Sequence, residues 1–258
     1  MPLTPSHAVV ALPFLRTPLV PGAIAVGAMT PDLPLFLRVL DYGFTHAFGN
    51  AIWTAALAFL LFLVWRVLLR PVVPELMPAA VARRLPAEWS EPAADAARHA
   101  VGVGRGVRYP VLLAGSLLLG VFSHIAWDLF THEGRWGVTA IPALQEQWGP
   151  LLGYKWLQHG SSAAGLAVLA VFAVLWLSRR DASTPITRVL PAWARLGWWL
   201  ALPAVLVVAW VAGLVALGPF TAEFTPQHLA YRVLPPACAV WGAATLALCI
   251  VLAARRRR

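Results

Sequence analysis

Five apolar runs, each close to the length needed to cross a bilayer, constrain this chain more than any other feature. They are Asn50 to Val67, Tyr109 to Phe130, Ser161 to Leu177, Leu196 to Leu217 and Val233 to Ala254. About 20 residues at a rise of about 1.5 Å cover the roughly 30 Å of bilayer hydrocarbon. Lipid offers the backbone no hydrogen-bond partners, so each run has to be helical. The expected fold is all-α: a polytopic membrane helical bundle of about five transmembrane helices. Pro203, inside the fourth run, is tolerable where neighbouring helices satisfy the freed carbonyl. Composition agrees, since 60% of the 258 residues are hydrophobic and 12% charged, against about 45–50% and about 25% in soluble domains. The lipid bilayer is thus the first expected partner.

Arginine placement predicts the orientation. The connection from Leu68 to Arg108 carries six arginines, and the one from Ser178 to Arg195 carries four. Between them, His132 to Gly160 has only Arg135 and Lys155, and Gly218 to Arg232 has only Arg232. By the positive-inside rule, the 68–108 linker and the C-terminus face the cytoplasm, and 131–160 forms an outer loop. The linker, rich in Ala and Pro, has room for one short amphipathic helix. Residues 1–258 read as a single membrane domain. The net charge of +9 collects at span ends, including the Arg255–Arg258 run, so it reads as topology and no nucleic-acid partner is expected. No basic leader precedes the first apolar residues. Cys238 and Cys249, eleven residues apart on one helix, lie about 16 Å apart and are too distant for a disulfide.

The first 49 residues are apolar but interrupted by Pro13, Pro18, Pro21, Pro31 and Pro34. Two short helices, Ser6–Leu15 and Pro21–Met29, fit them better than one span. They are expected to be re-entrant or interfacial.

Within the segment FSHIAWDLFTHEG, His124, Asp128 and His132 recur at every fourth position. That spacing puts them on one face of a helix, near the outer end of the second span. His7, Asp32, His46 and His159 can converge on the same outer side. Ionisable residues are expensive in a membrane and mark function by default. Imidazoles and carboxylates together suit zinc, manganese or iron. The expected ligands are therefore His7, Asp32, His46, His124, Asp128, His132 and His159, holding a divalent metal, first of all zinc, as one to three ions. Such ions would activate water and polarise a phosphoryl group. Asp128 is a candidate bridging and catalytic carboxylate, and Glu133 a candidate general base or an exposed loop carboxylate. Arg135 and Lys155 are candidates for binding phosphate oxygens, or interfacial anchors.

The stretches TPSH at 4–7, GAMTPDLPLFL at 27–37, FTHAFGN at 44–50, SHIAWDLFTHEG at 123–134 and YKWLQHGSS at 154–162 resemble a bacterial membrane family, domain of unknown function 4184. More distantly, the order His, Pro-Asp-Leu, Thr-His, His-x3-Asp is similar to the inner-membrane metal-dependent hydrolases. It is also similar to the zinc-dependent phospholipase C and S1/P1 nuclease group. That resemblance implies metal-dependent phosphoester hydrolysis, with His7, Asp32, His46, His124, Asp128 and His132 as ligands. It also implies a bacterial cytoplasmic membrane location, and the arginine alternation puts the site on its outer side.

Three functions compete. The first is a membrane-embedded metal-dependent hydrolase of a phosphoester, with a lipid or lipid-linked phosphate substrate suiting the depth. The second is a proton-coupled transporter using the same residues, but its relay groups should reach the centres of the fourth and fifth spans, which hold none. The third is a membrane protein with a structural metal site, which needs only four ligands.

Overall fold

The computed structural model describes residues 3–255, so Met1, Pro2 and the expected arginine stop at Arg256–Arg258 lie outside the described residues. The described residues are mostly helical and include one antiparallel pair of two-residue strands, Gln147–Trp148 with Leu151–Leu152. Among the described residues a short helix, α1 (Pro21–Met29), precedes five helices long and apolar enough to cross a membrane. These are α2 (Phe48–Leu76), α3 (Arg108–Thr131), α4 (Gly153–Ser178), α5 (Ala192–Leu217) and α6 (Pro226–Arg255). The molecule is a polytopic α-helical membrane protein, as the five apolar runs predict.

Its polarity is inverted relative to a soluble protein. Val208 and Val215 are 67% and 82% exposed, whereas His124 and Asp128 are 0% and 3% exposed. Apolar side chains face outward where lipid is the solvent, and the ionisable ones are packed inside.

Three expectations change in detail. The first short helix, expected over Ser6–Leu15, is a 3-10 helix over Thr4–Phe14, while the second has the bounds expected. The 68–108 linker holds more structure than one amphipathic helix. It contains short helices at Ala79–Ala82 and Ala87–Ser90 as well as the amphipathic Ala93–Val101. Helix α4 begins at Gly153, eight residues before the apolar run does, because the polar turns around Lys155 and Gln158 are helical too.

Contacts group the chain into two compact units. The first comprises 1–32, 40–63 and 98–179. Its core joins Ala55, Ala58 and Phe62 of α2 to Leu113, Leu117 and Val121 of α3. Helices α1 and α3 touch backbone to backbone. A Cβ added at Gly27 would meet the Leu117 carbonyl oxygen, and one at Gly120 would meet the Ile24 carbonyl oxygen. Small residues permit this approach, which in lipid replaces hydrophobic burial as the packing force. In the same unit Gly165 of α4 admits the Ser6 backbone, and Ser162 Oγ accepts from Leu3 N at 3.1 Å.

The second unit comprises 33–39, 64–97 and 180–258. Its buried Glu75 carboxylate accepts from the backbone N–H groups of Val189 and Leu190, at 3.1 and 2.9 Å. Arg188 donates to the Glu75 and Met77 carbonyls, and Arg70 pairs with Glu91. These contacts satisfy buried charges and tie the 181–191 loop down.

Candidate metal centre

The site lies within the first unit, and its geometry starts from the α1–α3 contact. Because Gly27 and Gly120 let the two backbones meet, the Ala28 carbonyl reaches His124, one turn beyond Gly120, and accepts from its Nδ1 at 2.7 Å. After α1 the chain turns through Thr30–Asp32, where Thr4 Oγ1 donates to Asp32 Oδ2 at 2.7 Å. Thr45 Oγ1 donates to the Pro31 carbonyl at 2.8 Å, fixing the loop that carries His46. There Nδ1 of His46 donates to the Tyr42 carbonyl at 2.9 Å, and the two rings stack.

A carbonyl oxygen can only accept, so in both histidines Nδ1 carries a proton and the neutral ring presents a bare Nε2. Those two Nε2 atoms face each other at 3.2 Å. Asp128 Oδ2 lies 3.4 Å from His124 Nε2 and 3.5 Å from His46 Nε2, and Asp32 Oδ1 lies 3.7 and 3.8 Å from the same atoms. Asp128 Oδ2 is buried and has no hydrogen-bond donor. Lone pairs and carboxylates converging on one point in a buried site repel one another unless a cation sits among them.

His7 completes the cluster from the N-terminal 3-10 helix, its ring stacked on His124 with centroids 4.0 Å apart. Its Nε2 is buried without a partner. Burial, reinforced by His124, pushes the His7 imidazole from 6.5 down to about 3, which keeps it a neutral donor. Two groups of ligand atoms, each within 4.8 Å of one another, result: His7, Asp32 and His124, and His46, His124 and Asp128.

The other expected residues fall outside these groups. His132, just past the end of α3, has Nδ1 3.4 Å from Asp128 Oδ2. Its Nε2 lies 3.3 Å from Gln158 Nε2. Lys155 Nζ donates to Gln158 Oε1 at 3.2 Å, which turns the Gln158 NH₂ toward His132. His132 Nε2 therefore accepts, which leaves its proton on Nδ1, 3.2 Å from Thr131 Oγ1 and beside Asp128. His132 is half-buried, and burial holds its imidazole below the ordinary value. His159 is exposed on α4 and joins neither group, since the helix starts early enough to carry it outward. Glu133 is exposed and accepts from Tyr154 Oη at 3.3 Å. Arg135 sits at the N-cap of the Trp136–Ala140 helix. Lys155, by contrast, connects to the cluster's edge through Gln158 and His132.

Thr4, Thr45 and Gln158 are side chains of the site that residue type alone does not single out. Thr4 and Thr45 lie beside His7 and His46 in the TPSH and FTHAFGN stretches. Gln158 is a polar side chain one helical turn after Lys155, and that spacing was the available signal.

No curated protein and no solved structure matches the chain. A family model described as Domain of unknown function (DUF4184) matches residues 1–255, the whole stretch that carries the cluster, and the chain therefore belongs to the DUF4184 family.

Proposed function

We propose that the protein is a metal-dependent hydrolase acting on a phosphoester, with its centre built from His46, His124 and Asp128. The observation that carries this reading is the pair of bare Nε2 atoms 3.2 Å apart beside the donorless Asp128 Oδ2. Two nitrogens on a tetrahedral zinc, each about 2.0–2.1 Å from the ion, stand about 3.3 Å apart. Two imidazoles and one carboxylate make up a catalytic ligand set that leaves a coordination position open. When bound, the ion supplies Lewis acidity toward a phosphoryl oxygen and an acidified water.

The chain's own residues divide the remaining work. Ala28 and Tyr42 fix the two imidazole tautomers through their carbonyls, and Thr4 holds Asp32 by its outer oxygen. His132, held by Gln158 and Thr131, stands beside Asp128 in an orienting role rather than a ligand's. His124 has only one lone pair to give, so the two ligand groups cannot each use it on a separate ion. His7 and Asp32 then serve either as further donors to one ion or as the acceptors nearest its open position.

The arginine alternation supports a cytoplasmic C-terminus and linker, with the centre at the outer side of the bacterial cytoplasmic membrane. The test is hydrolysis of chromogenic phosphate monoesters and diesters by detergent-purified protein loaded with zinc or manganese. The reading expects turnover that chelator abolishes and that falls by about 10³-fold or more in Asp128→Asn. Equal rates in the wild type and Asp128→Asn would contradict it.

A further inference from the structure

A groove of about 430 Å³ opens beside the cluster, walled by the N-terminal 3-10 helix, α3 and α4. Val9, Val10 and Pro13 form one side of it and Trp127 the other. The polar groups along it are already engaged. Ser123 Oγ donates to the Gly120 carbonyl at 2.7 Å, and the Trp127 indole N–H donates to Ser161 Oγ at 3.2 Å. Among the described residues lining the groove, the buried polar side-chain atom left without a partner is His7 Nε2. The groove is thus an apolar wall whose own polar groups are engaged, and His7, a member of the metal-ligand group, lines one end of it.

We propose that this groove holds one hydrocarbon chain of a membrane lipid whose polar head group lies against His7, which makes a membrane amphiphile the substrate class of the site. The volume falls in the range of small-ligand pockets, about 300–1,000 Å³. A chain leaving the bilayer for the groove exchanges one apolar surrounding for another and gains little hydrophobic free energy. The groove therefore sets register more than affinity: it holds the head group at the depth of Asp32, His124 and Asp128 while the rest of the lipid stays in the membrane. Trp127, 40% exposed and tied to Ser161, forms its outer lip. This inference rests on the hydrolase reading for the chemistry done on the head group, but not for the binding of the chain.

Photo-crosslinking tests it with either outcome of that reading. The probe is a long-chain alkyl phosphate carrying a mid-chain diazirine, added to the protein in phosphatidylcholine vesicles. Label is expected on the peptides containing Val9, Val10 and Trp127, falling about tenfold when Val10→Trp overfills the groove. Val10→Phe is the smaller increment, so that a graded loss separates filling from misfolding. Label spread evenly over the exposed faces of α5 and α6, and unchanged by either variant, would overturn the proposal. Groove labelling without metal or turnover would remove the hydrolase reading alone. Turnover of soluble phosphoesters without groove labelling would remove the groove alone.

Discussion

His46 and His124, 78 residues apart in the chain, point their Nε2 atoms at each other across 3.2 Å, and in the neutral form of each ring that nitrogen is bare. Each ring has spent its proton on a backbone carbonyl, Tyr42 for one and Ala28 for the other. An ordinary buried histidine pair would turn one ring to donate to the other. Here the carbonyls forbid that turn, and Asp32 and Asp128 add negative charge to the same spot. These are groups that could hold a cation.

The division between ligands and orienting residues predicts unequal losses. His46→Ala and His124→Ala each remove a ligand atom and should leave no measurable zinc affinity at micromolar metal. His132→Ala and Gln158→Leu should weaken zinc by about 10–100-fold, as loss of an orienting partner does. Competition with a zinc-sensitive dye reads both. Equal loss in His132→Ala and His124→Ala would make His132 a ligand.

His159→Ala is expected to leave zinc affinity within about twofold of the wild type, the usual range for an exposed substitution. The same titration decides it, and a large loss would return His159 to the ligand set.

Acid should loosen the metal-free fold in a definite window. The His7 imidazole is held near 3 in the folded protein against 6.5 ordinarily. Below 6.5 the unfolded chain takes up a proton that the folded chain refuses, so stability is full above 6.5 and falls as the pH drops toward 3. The slope contributed by this one group is at most about 1.4 kcal/mol per pH unit. His132, also held low by burial, acts in the same direction. Thermal unfolding of chelator-treated protein in detergent should therefore weaken on acidification, and His7→Gln should flatten the dependence. An identical slope in His7→Gln would contradict the burial argument.

The backbone contact of α1 with α3 should tolerate no side chain. Gly27→Val and Gly120→Val each drive a Cβ into a carbonyl oxygen of the other helix. A cost of about 1–3 kcal/mol corresponds to a Tm drop of about 5 °C in a chain this size. Because the same contact delivers the Ala28 carbonyl to His124, metal affinity should fall with it. Differential scanning fluorimetry and the dye titration together check this, and a loss of stability with metal binding untouched would separate the two roles.

The spans were legible in the sequence because bilayer thickness imposes a run length that nothing else explains, and α1 was legible because Pro21 and Thr30 bracket it. His124 and Asp128 were legible because helical spacing is a local property. What the sequence could not show was which donors meet. That depends on tautomers set by the Ala28 and Tyr42 carbonyls, and a carbonyl leaves no mark on residue type. His159 stands exposed and outside both ligand groups for a related reason: apolar content marks where lipid begins, while α4 starts two turns earlier on polar residues. His132 has the same i,i+4 spacing from Asp128 that His124 has, and only the amide of Gln158 distinguishes its role.

The most direct test of the central claim is metal content. Detergent-purified wild-type protein and the His124→Ala/Asp128→Ala double variant would be compared by elemental mass spectrometry after exposure to zinc or manganese and desalting. The account predicts at least one divalent ion retained per chain by the wild type and none by a variant that elutes as a folded protein. Failure of both proteins to retain metal, with their folds intact, would contradict it.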